Sequence, residues 1–592
     1  MALEILRNAT ERVRARLRRL VPDEPQHVLV VTIVTGLACG LVAVAFHLAI
    51  QVADRQLVGR ALELEGWRRP LLLLLSPTLG GLVAGALLAW VVPGARGSGI
   101  PQVKQVYALG DGRVPVRDAV GKFLVGTLQI GSGASLGREG PTVQICAGAS
   151  TFIARVTALP ARDMRRLLPV AAAAGIAAAF NAPIAAVTFT IEEIVGSLDH
   201  SVLSGAVVAA ALAAVIERSV LGTHPVFEAP QGLGLDHASS LAFFGLLGVL
   251  AAGVSVAFTD GMLELRRRFR RQGIVPTWAQ PSVGGLVTGA LAAGVLLALG
   301  QKGVTGGGYE TLGLALEGRL ALGALLTLCL AKLVATVFSY SSGGAGGIFM
   351  PALFVGAMLG GAVGHLDVSA LGHEPRQLGA FALVGMGAVF AGVIRAPITS
   401  VLIIFEMTGA YGLILPLMIA NVTAFVLARR LRPTPIYEAL LEQDGVVLPR
   451  PAPHRFDIEP GAPRGPLARD LARQLVDVPA GTAVAEAVGR VGDRGGALVR
   501  SDRGALLALP LDRLRTAAAE RALARVEDEA LAFPEAGPEL DVSELVTRLV
   551  DDDADAILVT DPSGAVHGLI TRAELAAALL EHHARRRARP AR

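Results

Sequence analysis

Hydrophobic positions along this chain fall into long blocks separated by short polar or glycine-rich breaks. Val28–Ile50, Leu71–Val92, Leu241–Phe258, Ser282–Leu299 and Phe381–Ile394 are such blocks. Several approach the roughly 20 residues with which a helix crosses a bilayer, and others are clearly shorter. The pattern predicts an all-α polytopic membrane body of full and broken helices. Many segments are interrupted by Gly or Pro, including those around 131–141 and 343–351. Broken helices at corresponding positions of two halves point to a binding site near the midplane. Non-helical backbone at that depth must be buried in protein or line a polar cavity.

The apolar character stops near Arg432, and a proline-rich stretch, Pro449–Pro466, follows. The expected domains are an N-terminal segment (1–27), a membrane body (28–445), a linker (446–466) and a soluble tail (467–585). Within the body the expected repeats are about 28–225 and 240–445. Composition agrees: of 592 residues, 52% are hydrophobic and 18% charged, against about 25% charged in soluble proteins. The mean hydropathy is +0.54.

The net charge of +4 is unevenly spread. Arg7, Arg12, Arg14, Arg16, Arg18 and Arg19 precede the first block. Arg266, Arg267, Arg268, Arg270 and Arg271 lie mid-chain, and Arg429, Arg430 and Arg432 follow the last span. The positive-inside rule assigns all three regions to the cytoplasm. They flank apolar segments without aromatic platforms, which argues against nucleic-acid binding. Residues 1–20 lack the apolar core of a signal peptide and read as an amphipathic helix on the inner membrane surface. Cys39, Cys146 and Cys329 sit in apolar stretches and read as small core residues, not as disulfides or metal ligands.

Two segments repeat the same backbone pattern. Ser132-Gly133-Ala134-Ser135-Leu136-Gly137-Arg138-Glu139-Gly140-Pro141 is matched by Ser342-Gly343-Gly344-Ala345-Gly346-Gly347-Ile348-Phe349-Met350-Pro351, 210 residues later. Each loop feeds an apolar helix, whose unpaired N–H groups and positive dipole end favour an anion. A second pair agrees. Asn181-Ala182-Pro183-Ile184 leads to Glu192, and Arg395-Ala396-Pro397-Ile398 leads to Glu406, with an offset of 214. The body therefore reads as a duplication.

Glu139 stands inside the first helix-start loop. Its carboxylate can take the anion's place on the same N–H groups and leave when protonated, acting as gate and proton carrier; the alternative is a salt bridge at the membrane edge. Glu192 and Glu193 share an apolar helix but point about 100° apart. One suits a helix–helix hydrogen bond mirrored by Glu406. Glu193 is matched by Met407, so it suits a role unique to one half, with structural pairing as the alternative. Ser98, in Gly97-Ser98-Gly99-Ile100-Pro101, and Tyr437 are neutral donors for an anion; singly, each also reads as a turn serine or an interfacial tyrosine.

Gly97-Ser98-Gly99-Ile100-Pro101, Gly137-Arg138-Glu139-Gly140-Pro141 and Gly346-Gly347-Ile348-Phe349-Met350-Pro351, in that order, resemble the signature of the CLC chloride channel and transporter family. The two Ala-Pro motifs and Tyr437 match as well. The resemblance covers the membrane body and implies two inverted repeats of tilted, broken helices in a homodimer, with one anion path per subunit. It implies a central chloride site at Ser98, Tyr437, Ile348 and Phe349. An outer site would form around Arg138, Glu139, Gly140, Phe349 and Met350, with Gly97 among the chloride-binding residues. Glu139 takes the place of the external gating glutamate, and Glu193 that of the internal proton-transfer glutamate of proton-coupled members. Two positions depart from the family pattern. Met350 replaces a common alanine, and Gln102 and Lys104 stand where acidic residues are frequent. Ser98 favours chloride; nitrate-preferring members carry proline there.

The tail reads as two loosely similar α/β halves. Gly568-Leu569-Ile570-Thr571 running into a helix resembles the end of a CBS domain, so the tail resembles a CBS pair. In such pairs Thr and Asp at the helix starts bind adenine nucleotides. Here Pro510 replaces the first threonine and Glu574 the second aspartate, leaving Thr571 as a weak nucleotide contact and bracing as the alternative role.

The expected function is chloride/proton antiport, with chloride, protons and membrane lipid as partners and no cofactor or metal. The expected location is a bacterial plasma (inner) membrane with both termini cytoplasmic. The alternative is a passive voltage- or pH-gated chloride channel of the same fold. No His-Glu-x-x-His, no convergent histidine and no Gly-x4-Gly-Lys-Ser/Thr supports an embedded hydrolase or an ATP-driven pump.

Overall fold

The apolar blocks fold as helices because a helix satisfies its own backbone hydrogen bonds in a solvent that offers none. The computed structural model describes residues 24–578, except 111, 158, 198–199, 223–226, 228–229, 231–232, 449–465, 501–505 and 553. The expected surface helix over residues 1–20 and most of the expected linker lie outside the described residues. The first half contains α1 (Glu24–Asp54), α2 (Arg68–Trp90), α3 (Ile100–Leu109), α4 (Val116–Gly131), α5 (Glu139–Thr157), α6 (Ala161–Phe180), α7 (Pro183–Phe189) and α8 (His200–Leu221). The second contains α9 (Leu241–Arg271), α10 (Gln280–Leu299), α11 (Tyr309–Leu316), α12 (Leu322–Ser341), α13 (Phe349–Leu371), α14 (Gln377–Ile394), α15 (Pro397–Thr408) and α16 (Ile414–Leu431). A short α17 (Ile436–Gln443) closes the body. Among the described residues, nine helices are long and apolar enough to span a membrane. Every residue of α14 is buried, as expected of a helix that is apolar all round.

The duplication is visible in backbone detail. Among the described residues, Asn181 (φ 52°) and Arg395 (φ 74°) are the two non-glycine residues with positive φ, and they end α6 and α14. Gly133 (φ 104°) and Gly343 (φ 102°) make the same left-handed turn after α4 and α12, a conformation that side chains with a Cβ avoid. Proline opens both α7 and α15, where its missing N–H costs nothing.

The two halves cap each other. Glu192 accepts hydrogen bonds from the N–H groups of Ile398 (3.2 Å) and Thr399 (2.8 Å) and from the Thr399 hydroxyl (2.6 Å). Glu406 accepts from the N–H groups of Ile184 (3.0 Å) and Ala185 (2.6 Å). Each glutamate lies near the end of its own helical segment and caps the start of the other, so equivalent elements run antiparallel, as inverted repeats require. Beyond Phe189 the chain widens into a π turn, Thr190–Val195, which carries Glu192 and Glu193 on different faces.

The chain divides into two compact units, Met1–Pro449 and Arg450–Arg592. In the second unit, β1 (Leu475–Asp477) pairs parallel with β2 (Gly496–Arg500), which pairs antiparallel with β3 (Leu506–Pro510). The same plan recurs in β4 (Glu535–Ala536), β5 (Ala556–Thr560) and β6 (Val566–Thr571). The chain before β1 reaches the second sheet through paired bonds between Arg473 and Leu569 (3.0 and 2.9 Å). Asp561 closes the β5–β6 turn, accepting from the Ser563 hydroxyl (2.6 Å) and the Ala565 N–H (2.9 Å). The Ser563 hydroxyl, foremost, holds the Asp561 carboxyl below its usual range.

Glu406→Ala should lower stability by about 1–3 kcal/mol, because it strips two helix-start donors of a charged partner. Glu192→Ala should act similarly. Thermal unfolding in detergent measures both, and unchanged midpoints would count against the reciprocal caps.

Candidate functional site

The twin glycine loops meet face to face. Gly137 N–H donates to the Gly347 carbonyl and Gly347 N–H donates to the Gly137 carbonyl, both at 2.7 Å. Glycine suits this approach. A Cβ on Gly347 would stand 3.1 Å from Gly140 N and 3.2 Å from Gly137 O. The bridge brings the starts of α5 and α13 together. Pro141 and Pro351 carry no N–H, so the free donors narrow to Glu139 and Gly140 on one side and Phe349 and Met350 on the other.

Side chains lock the loops across the same symmetry. Ala345 N–H donates to Gln129 (2.8 Å), and Ser135 N–H donates to Ser339 (3.2 Å). Two fully buried lysines, Lys122 and Lys332, stand 210 residues apart. Lys122 Nζ donates to the Gly97 carbonyl at 2.6 Å. Lys332 Nζ faces the carbonyls of Gly303 (3.0 Å), Val304 (3.1 Å) and Gly306 (2.6 Å), and lies 5.1 Å from the Phe354 ring centre. Each lysine thus pins the glycine-rich break before α3 or α11. Carbonyl partners satisfy the buried amino groups, which would otherwise be costly to hold away from water.

Glu139 is fully buried. Its carboxylate is faced by its own N–H and that of Met350, and Tyr309 donates its hydroxyl to Oε1 at 3.4 Å. The side chain therefore sits where the two helix starts point. Oε2 has no hydrogen-bond partner among the described residues. Next to Glu139, Arg138 and Tyr309 line a cavity of about 260 Å³, together with His47, Asp54 and Lys302. The Arg138 guanidinium donates to Ala179 O (2.9 Å) and lies 5.9 Å from the Tyr309 ring centre.

Deeper in the protein, Ser98 and Tyr437 are fully buried and face each other. Neither hydroxyl has a hydrogen-bond partner among the described residues. Two buried donors with nothing to donate to are costly unless a third group completes them. Ile348 caps α13, and Phe349 begins it among Phe180, Phe189 and Phe390, with ring centres 4.7, 5.6 and 4.3 Å away. Met350 and Gly140 are buried beside them. Gly97 stands in the loop before α3. Its N–H donates to Gly344 O (2.9 Å) and its carbonyl accepts from Lys122, so both groups are committed to holding the loop.

Glu193 is buried, 4% exposed. Lys104, which breaks the acidic family pattern, pairs with it at 2.8 Å and with Glu438 at 3.1 Å. Gly133-Ala134-Ser135-Leu136-Gly137 spells Gly-x-Ser-x-Gly, but the Ser135 hydroxyl is buried and shared with Thr336 (2.8 Å), not with a base. In the tail, the N–H (2.8 Å) and hydroxyl (2.9 Å) of Thr571 both reach Glu574, which also binds Arg473 (2.6 Å).

Sequence reading missed Lys122, Lys332, Tyr309, Tyr340 and Glu438. The repeat offset carried a signal for the lysines and for Tyr309, which follows Gly306-Gly307-Gly308 as Ile100 follows Gly97-Ser98-Gly99. Tyr340, whose hydroxyl faces the Ser98 backbone, had no such signal.

Antiparallel repeats whose broken helices meet at buried, unpaired donors define a multi-pass membrane protein built for ion passage. Residues 80–429 match the family described as Voltage gated chloride channel. The chain is 33% identical over 448 residues to the H(+)/Cl(-) exchange transporter ClcA of Salmonella agona (strain SL483), covering 73% of this chain and 92% of that protein. A slow cyanobacterial Cl-/H+ antiporter superposes with TM-score 0.62 at 28% identity, covering 70% of this chain and 97% of that one. A eukaryotic CLC transporter, 19% identical, shares the fold over 92% of this chain and 97% of its own, with TM-score 0.61. The chain belongs to the CLC family.

Lys122→Met leaves the Gly97 carbonyl buried and unpaired, which should cost about 1–3 kcal/mol. Lys122→Arg should recover part of the loss. Thermal unfolding midpoints in one detergent compare them, and a Lys122→Met midpoint equal to that of the unaltered protein contradicts the pinning role.

Proposed function

We propose that this protein exchanges chloride for protons across a membrane. The observation that carries the reading is the seat of Glu139. Its carboxylate lies at the joined helix starts, on the donors that suit a chloride ion. Protonation removes its charge and its hold on those N–H groups, and chloride can then take the place. Deprotonation returns the side chain and expels the anion. The two ligands therefore alternate on one set of donors, which couples their movements.

Ser98 and Tyr437 form the inner half of the anion path. Their hydroxyls donate without a full opposite charge, so the ion is held yet released. The backbones of Ile348, Phe349, Met350 and Gly140 complete the donor set, and Arg138 supplies charge at the outer mouth. Glu193 delivers protons from the inner side. Lys122 and Lys332 keep the loops in place. The exchange activity of the ClcA relative and of the cyanobacterial antiporter supports the reading.

The protein works as a homodimer with one path in each subunit. Ile184, Ile398 and Val422 expose apolar surface that a second copy or lipid must cover. It resides in a bacterial plasma membrane, with both termini and the arginine clusters in the cytoplasm. The tail serves as a CBS-like bracing element. The Thr571 hydroxyl donates to Glu574 (2.9 Å), which supports the bracing role over a nucleotide contact.

Glu139→Gln should abolish proton movement while chloride continues to flow in reconstituted vesicles. Gly137→Ala should act in the same direction, because its Cβ would stand 2.2 Å from the seated Glu139 Oε2 and displace the carboxylate. Paired chloride-electrode and pH-electrode recordings test both. Persistent uphill proton transport by Glu139→Gln would remove Glu139 from this role.

A further inference from the structure

Lys104 on α3 holds two carboxylates at once, and they differ in access. Glu193, on the π turn, is 4% exposed, whereas Glu438, on α17, is 37% exposed and Lys104 itself is 13% exposed. The far end of α17 faces the arginines of α9. Asp444 accepts from Arg266 at 2.8 Å and also pairs with Arg270. That cluster belongs to the cytoplasmic side by the positive-inside rule. Of the other acids nearby, Glu192 caps α15, Asp444 is taken by the arginines, and Glu442 lies exposed one turn along α17 from Glu438. Tyr437, next to Glu438 in sequence, turns inward to Ser98. The cluster therefore forms a short step from inner water to the buried acid.

We infer that Glu438 is the residue that takes up the proton from the inner solution, and that the proton passes from it to Glu193 as Lys104 changes partners. This rests on the exchange reading above. With both carboxylates ionised, Lys104 bridges them. A proton from water binds Glu438, and Lys104 then pairs with Glu193 alone. In the next step the O–H bond at Glu438 breaks and one forms at Glu193, directly or through a water molecule, while Lys104 moves its hydrogen bonds to Glu438. One carboxylate, one carboxylic acid and one ammonium are present before and after the step, so no charge is created in the interior. A bare buried ammonium or carboxylate would be costly, and the exchange of partners avoids both. The cation at position 104 thus replaces an acidic relay with a cationic shuttle between two acids.

The test uses the full chain in phosphatidylethanolamine/phosphatidylglycerol vesicles, with proton and chloride fluxes recorded together. Glu438→Gln should lower the proton flux relative to the chloride flux by at least about tenfold. Glu438→Asp, which keeps a carboxylate, should recover most of that ratio. Lys104→Met should also lower the ratio, because the two acids lose the cation that exchanges between them. Chloride flux in each variant reports correct folding, and a variant without chloride flux is replaced by the Glu438→Asp comparison against the unaltered protein. A proton-to-chloride ratio in Glu438→Gln equal to that of the unaltered protein overturns the proposal and leaves the exchange reading intact. Absence of proton flux in the unaltered protein overturns both.

Discussion

The two hydrogen bonds between Gly137 and Gly347 hold together the part of the molecule on which the rest depends. They join equivalent positions of the two repeats, and the joined loops are also the starts of α5 and α13. Backbones this close would put a Cβ at Gly347 in tighter than ordinary contact. The positive ends of two helices therefore converge on one point inside an apolar body. Such a convergence is unfavourable by itself, since like partial charges are brought together in a medium that screens them poorly. It is stable when something negative sits there. In this structure that group is the Glu139 carboxylate, and the same electrostatics suits a chloride ion.

The symmetric features build the site, and the asymmetric ones direct it. Lys122 and Lys332, Gln129 and Ser339, and Glu192 and Glu406 act in pairs, each partner fixing backbone across or beside the pseudo-twofold axis. Their pairing explains how glycine-rich breaks remain ordered at membrane depth: every pinned carbonyl or N–H has a stated partner. The asymmetric residues are few. Glu139 faces an otherwise apolar counterpart, Phe349. Glu193 has Met407 opposite it in the repeat, and Tyr309 has Ile100. An exchanger requires an inside and an outside that differ, and these substitutions within a symmetric frame provide the difference.

Much of this was legible in the sequence because glycine and proline mark backbone geometry directly. The twin loops, the paired Ala-Pro helix starts and the role of Glu406 as the mirror of a helix-contacting glutamate all followed from residue type and offset. The lysines were not read because a single lysine in an apolar helix carries no local pattern; only its recurrence after 210 residues does. A glycine in a motif says that the backbone approaches something closely, not what it approaches; at Gly97 the approach shown is to Lys122 and Gly344. Lys104 stands out in the sequence only as a departure from the acidic family pattern. In three dimensions it reaches Glu193 and Glu438 together, a contact between residues 89 and 334 positions apart that no local spacing encodes. In the tail, β2, β3, β5 and β6 are legible for the opposite reason, since short aliphatic runs bounded by turn residues specify them locally, whereas the two- and three-residue strands β4 and β1 are too short to carry a pattern.

The most direct measurement of chloride-coupled proton movement uses the full chain in sealed vesicles, with the membrane potential clamped at zero by potassium and valinomycin. With chloride high inside and pH equal on both sides, outward chloride flow should draw protons inward, and the external medium should become alkaline until a protonophore collapses the gradient. Chloride leaving the vesicles while the external pH stays constant would contradict the account and identify a passive conductance.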